Sequence, residues 1–249
     1  MTPLSSGPVP SRFATTRWSL VFQARDKDAP QAAAALADLC RAYWYPLYAF
    51  LRRRCRDGHE AQDLTQSFFA RLLEKEFLDE VTPERGRFRA FLLASAQHFV
   101  ANERDRERAI KRGGDRSQLS LELTAVDWGS GESRFLTEPS HDVTAERLFE
   151  RQWALTLLDQ VLNRLREQYA AAGKQDQFEI LQPFLSGEQA ALETADVARR
   201  LNMTVSALRV VTHRLRKRYR TLLRDEIART VAYPDDVEDE IRHLFAACS

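Results

Sequence analysis

The chain has 249 residues, 44% of them hydrophobic, with 37 lysines and arginines against 36 aspartates and glutamates. That length supports one large domain or two small ones, and a net charge of +1 excludes a uniformly basic nucleic-acid binder while leaving room for local patches. The apolar runs 32–36 and 153–158 fall far short of the ~20 residues that span a bilayer, residues 1–11 lack the pattern of a secretory leader, and Cys40, Cys55 and Cys248 form no CxxC pair, so a cytoplasmic chain with no structural zinc or disulfide is expected.

Apolar residues recur at three- and four-residue steps in almost every long segment, and alternating β-branched runs are scarce, so an all-α fold is expected. After an N-terminal arm, 1–15, Thr16 is placed to cap a helix that runs to about residue 25. A second helix covers 30–56 and stops at Asp57-Gly58. A third covers 60–75, and a fourth begins after Pro83 and Gly86 and runs to 112, where Gly113-Gly114 end it. These four form a first domain, 16–114. Residues 115–142 lose the helical period and collect Gly129, Gly131, Pro139 and several serines, the composition of an inter-domain linker. Helices resume over 143–172, 175–185, 192–201 and 204–231, giving a second domain, 143–233. Pro234 then separates an acidic extension, 234–249.

The second domain carries the sharpest motif. Val197, Ala198 and Leu201 give one helix an inward face, Asn202 tolerates the left-handed turn conformation, and Thr204 suits the N-cap of the next. This is helix-turn-helix spacing. On the following helix Leu208, Thr212 and Leu215 share one side, leaving Ser206, Arg209, Val210, His213 and Arg214 on another. Arginine and serine read base edges, valine meets a thymine methyl, and the trailing Arg216, Lys217 and Arg218 neutralise phosphates. The candidate DNA face is therefore major-groove chemistry backed by a cationic end.

In the third helix Leu64, Phe68 and Leu72 form a core stripe, and Asp63, Gln66 and Glu74 fall on polar positions open to a partner or to water. The fourth places Phe88, Phe91, Leu92, Phe99 and Val100 ahead of Asn102, Arg104, Arg106, Arg108, Lys111 and Arg112. A basic end after aromatics suits a single strand of DNA. A packed core followed by helical ion pairs through Glu103, Asp105 and Glu107 accounts for the same pattern.

The segments Tyr43-Trp-Tyr-Pro-Leu-Tyr-Ala-Phe-Leu-Arg-Arg, Ala61-Gln-Asp-Leu-Thr-Gln-Ser-Phe-Phe-Ala-Arg-Leu and Phe88-Arg-Ala-Phe-Leu, followed by the helix-turn-helix, resemble regions two and four of extracytoplasmic-function sigma factors of the sigma-70 family. The order is the family's, over roughly residues 16–230. The resemblance implies two helical domains joined by a long linker, and a protein that directs RNA polymerase to promoters without catalysing a reaction. It implies that Asp63, Leu64, Gln66 and Phe69 grip the β′ clamp of core polymerase. By the same resemblance His98, Asn102, Arg106, Arg108, Lys111 and Arg112 meet the opened minus-ten strand, and Ser206, Arg209, Val210, His213 and Arg214 read the minus-thirty-five duplex. Partners so implied are core polymerase, through its β′ clamp and β flap, and promoter DNA, with room for an anti-sigma factor. His98 and Asn102 stand where many members carry Asn and Asp; Thr212 and Leu215 stand where leucine and alanine are frequent.

The sequence has no GxxxxGK[ST] loop, GxSxG elbow or HExxH pair, and its five histidines are scattered, so no catalytic residue, cofactor or metal ligand is assigned. A second reading is a helix-turn-helix regulator with an N-terminal sensing or dimerising domain. The acidic segment 235–240 directly follows the basic helix and could fold back over it. Val237, Ile241, Leu244 and Phe245 have the spacing of an amphipathic helix that packs on the last domain instead.

Overall fold

The computed structural model describes residues 18–25, 30–74, 78, 87–110, 130–138, 143–185, 194–231 and 233–248, and among these there are ten α-helices and no strand. The first four are α1 (Trp18–Arg25), α2 (Ala32–Arg52), α3 (Gly58–Glu74) and α4 (Phe88–Ile110). They match the expected first four helices to within a few residues at each end. Thr16, the expected cap of the first, lies outside the described residues. Helix α2 is the centre of the fold: Tyr43, Tyr45, Leu47, Tyr48, Phe50 and Leu51 are all fully buried. A helix that apolar all round must be covered on every side, and α1, α3, α5 (Ser130–Leu136) and α6 (Ala145–Ala171) cover it.

Helix α5 corrects the expectation of a structureless linker across 115–142. Its seven residues dock on α2 through Glu132, which accepts from Tyr48 Oη at 2.6 Å and from Arg52 Nε and Nη2 at 2.8 and 3.0 Å. Phe135 lies beneath the guanidinium of Arg52, and that of Arg134 stacks 3.6 Å over the Tyr45 ring. Two glycines permit the approach. A Cβ on Gly131 would sit 3.1 Å from the Tyr48 ring, and one on Gly58 would sit 2.7 Å from the Glu132 carboxylate.

Helix α6 has 27 residues, about 40 Å at 1.5 Å per residue. Thr144 caps it, accepting from the Arg147 amide at 3.2 Å. The four-residue steps Phe149, Trp153, Leu157, Val161 and Leu165 make one continuous buried stripe. Helix α6 packs on α2, and also on α7 (Gln175–Leu181), α9 (Val205–Ala228) and α10 (Val237–Cys248). The sequence reading expects two helical domains; through α6 the buried side chains of both halves join in one core. The acidic extension is structural as well. Val237 and Leu244 of α10 are buried against α6 and α9, so it packs as an amphipathic helix, and its Glu238 pairs with Arg224 of α9.

Candidate nucleic-acid and polymerase interface

Helix α8 (Thr194–Arg200) and α9 form the expected turn. Asn202 has φ +51°, the left-handed region that a short polar side chain tolerates. The Met203 amide donates to Ala198 O at 2.9 Å and the Asn202 amide to Arg199 O at 3.0 Å, the paired bonds of a Schellman stop. One residue on, the Thr204 hydroxyl accepts from the Ala207 amide at 3.1 Å and starts α9. Val197, Ala198, Leu208, Thr212 and Leu215 are all buried, and α8 packs on α9. Thr212 satisfies its hydroxyl on Leu208 O at 2.8 Å, which is how a polar residue serves in this core.

The opposite side of α9 is open. Ser206, Arg209, Val210, His213 and Arg214 are all exposed on one face, and Val210 is 48% exposed. Lys217 and Arg218 continue this face as exposed cations; Arg218 Nε donates to Gln168 at 3.0 Å. Arg216 differs from the sequence expectation. It is half-buried and its Nε donates to Phe184 O at 3.0 Å, so it pins α9 to the turn that follows α7.

Helices α3 and α4 enclose a cavity of about 50 Å³ with Phe68, Leu72 and Phe99 as its apolar floor and Arg71, Ser95, His98 and Asn102 at its edge. His98 and Asn102 are exposed, and the Arg71 guanidinium lies 6.0 Å from the Phe99 ring centroid. Phe88, Leu92, Phe99 and Val100 are buried, so the aromatics of α4 are chiefly core. Beyond the cavity the cations are partly committed: Arg104 donates to Arg54 O at 2.8 Å, Arg106 lies 3.8 Å from Glu103, and Arg108 lies 3.1 Å from Asp105. Arg106 and Arg108 remain solvent-exposed, where such pairs are weak. Lys111, Arg112 and the side chain of Glu74 lie outside the described residues.

On α3, Asp63 is exposed and Gln66 half-exposed, with Leu64 half-buried against the core. Phe69 corrects its expected surface role: it is 1% exposed and meets Phe68 edge-on at 5.9 Å. Because α3 packs against both α2 and α4, its buried stripe is wide enough to take both phenylalanines. Burial pushes the thiols of Cys40 and Cys55 up to about 12, with the Glu60 carboxylate adding to the shift at Cys55, which keeps both protonated at neutral pH.

One buried ion cluster has no sequence signal. Arg89 of α4, 3% exposed, reaches Glu150 of α6 at 2.8 Å and Glu240 of α10, across as many as 151 positions of sequence.

Residues 39–110, which hold most of α2 together with all of α3 and α4, match the family model for sigma-70 region 2. That match supports a sigma factor of the sigma-70 family. Neither the curated proteins nor the solved structures give a match. Among the described residues, no helix is long and apolar enough to cross a membrane.

Proposed function

We propose that this chain is a sigma factor of the extracytoplasmic-function type that reads both promoter elements, with 16–114 as region two, 115–142 as the connection, 143–233 as region four and 234–249 as an extension packed on it. The observation that carries this reading is the α8–α9 turn. Its Schellman stop and threonine cap leave Ser206, Arg209, Val210, His213 and Arg214 free on one helical face, in the same chain as a region 2 match.

In this reading α9 enters the major groove of the minus-thirty-five duplex. Arg209 and Arg214 have the donor geometry for guanine edges, Val210 offers an apolar contact to thymine, and Lys217 and Arg218 lie toward phosphates. The minus-ten strand passes along α4, where His98 and Asn102 present hydrogen-bonding groups beside the small apolar cavity and Arg106 and Arg108 follow the backbone. Asp63 and Gln66 of α3 face a basic surface on the β′ clamp, and Leu64 borders that contact. The β flap is taken by the second module. The chain performs no chemistry of its own; its work is binding and positioning in the cytoplasm, where the polymerase acts.

The experiment is promoter-dependent transcription with purified core polymerase. Specific initiation should need the chain, and should be lost on changing Arg209 and Arg214 to alanine while capture of the core enzyme persists. A chain that binds DNA as a dimer on palindromic sites and leaves core polymerase inactive would overturn the proposal and select the regulator reading.

A further inference from the structure

Helices α3 and α4 meet over a recess of about 50 Å³, and its size limits what it can hold. An apolar cavity of about 150 Å³ takes a benzene ring, whereas a water molecule needs roughly 10–15 Å³ and two to four polar partners. The floor here is Phe68, Leu72 and Phe99, all of them buried apolar side chains. A ring is too large for the recess, and water finds no partners on such a floor. One methyl group fits both the volume and the lining.

The rim has a different chemistry. Arg71, Ser95, His98 and Asn102 surround the opening. The Arg71 guanidinium lies 6.0 Å from the Phe99 ring centroid and has no ion pair among the described residues, so its five N–H donors stand at the mouth of the recess. An occupant that suits floor and rim together carries a methyl group next to a hydrogen-bond acceptor.

In DNA that combination belongs to thymine, with its methyl on C5 and its O4 acceptor on the neighbouring ring carbon. Cytosine has no methyl and turns an amino donor toward the same place, which a guanidinium cannot satisfy. In a duplex the thymine methyl lies inside a groove about 8.5 Å deep, where a protruding side chain reaches it and a recess does not. The recess can therefore take the methyl only from an unpaired base. The promoter reading proposed above, on which this inference rests, puts the unpaired strand along α4.

We infer that the α3–α4 recess selects a thymine in the opened strand, seating its 5-methyl group on Phe68, Leu72 and Phe99 while Arg71 donates to O4. Arg71 is then a specificity residue of the minus-ten element, reaching the strand from α3 as His98 and Asn102 do from α4.

The test uses holoenzyme, the full chain on core polymerase, with a promoter that it selects from a random-sequence library. The minus-ten element is pre-opened by mismatches, so that pairing strength does not enter. Each thymine of the opened strand is replaced in turn by uracil, which lacks only the methyl, and by 5-methylcytosine, which keeps the methyl but presents an amino group in place of O4. At one position uracil should weaken binding about fourfold, the worth of one buried methyl at ~0.8 kcal/mol, and 5-methylcytosine about tenfold. Arg71→Ala should weaken binding of the thymine strand about tenfold and bring thymine and 5-methylcytosine level, with uracil still about fourfold below thymine. Ser95→Val, which fills the recess, should erase the thymine–uracil difference at that position; if this variant does not fold, the Arg71 comparison decides alone. If a promoter is selected but no position distinguishes thymine from uracil, the recess assignment is wrong and the promoter reading stands. A thymine–5-methylcytosine gap that survives Arg71→Ala overturns the assignment as well. If no promoter is selected, the promoter reading fails, and this inference with it.

Discussion

Asp63 and Phe69 lie less than two turns apart on α3, one on the surface and the other in the core. Phe69 is 1% exposed in a core shared by α2, α3 and α4. Truncating such a phenylalanine to alanine costs about 3–5 kcal/mol in lost transfer energy and residual cavity, a large part of the ~5–15 kcal/mol that holds a typical protein folded. At ~2–4 °C per kcal/mol for a chain of this size, Phe69→Ala should lower the melting temperature by about 6–20 °C. Asp63 is exposed, and the structure gives it no buried neighbour to lose. Asp63→Arg should change stability by no more than about 0.5 kcal/mol, yet weaken capture of core polymerase by placing a cation against a basic surface. Thermal melts followed by circular dichroism, together with competition for core polymerase against a labelled wild-type chain, separate the two. The reasoning is refuted if Phe69→Ala melts with wild type while losing polymerase, because Phe69 would then be a contact residue. It is equally refuted if Asp63→Arg competes as well as wild type.

Three further outcomes follow from the geometry. Arg209→Ala should relax base preference at one or two upstream positions, whereas Arg218→Ala should weaken binding evenly and reduce the salt slope by about one; binding to a panel of duplexes at several salt concentrations distinguishes them. Thr204→Ala removes the hydroxyl that accepts from the Ala207 amide, and should destabilise the start of α9 by about 1 kcal/mol, read as faster amide exchange over residues 205–208. Glu132 is hydrogen-bonded by Arg52 and Tyr48, which hold its pKa below the usual 4.5. A carboxylate lowered by folding contributes stability in full above that ordinary value and loses it as pH falls through the folded one. Wild type should therefore lose its advantage over Glu132→Gln as pH drops below about 4.5, and a stability difference independent of pH would remove the assignment.

What the sequence discloses and what it hides divide along the range of the interactions. The α8–α9 turn is legible because its chemistry is local: Asn202 for the left-handed residue, Thr204 for the cap, and Leu208, Thr212 and Leu215 for the inward side all fall within 14 positions. Helix α5 is hidden because Ser130-Gly-Glu-Ser-Arg-Phe-Leu has the composition of a tether, and the Tyr48 and Arg52 groups that order it lie 84 and 80 positions away. Phe69 joins the polymerase-facing set only through the family resemblance; the packing of α3 between two neighbours buries it beside Phe68. Arg89 and Glu240 each look like ordinary surface charges until α10 is in place. Arg216 belongs with these, since its tie to Phe184 O depends on the turn after α7.

The glycines at 58 and 131 bear on how such a chain can be taken apart. Protein engineers commonly treat a Gly- and Ser-bearing stretch between two modules as interchangeable cord, to be shortened, lengthened or replaced when hybrids are assembled. Here the missing side chains are what let one short helix seat on an aromatic surface, with a Cβ at Gly131 only 3.1 Å from the Tyr48 ring. A hybrid that replaces residues 130–138 with a neutral spacer would keep the reach and lose the seat, leaving Tyr48 and Arg52 without the Glu132 carboxylate that both hold. The junction for any exchange of promoter-reading modules therefore belongs outside that stretch.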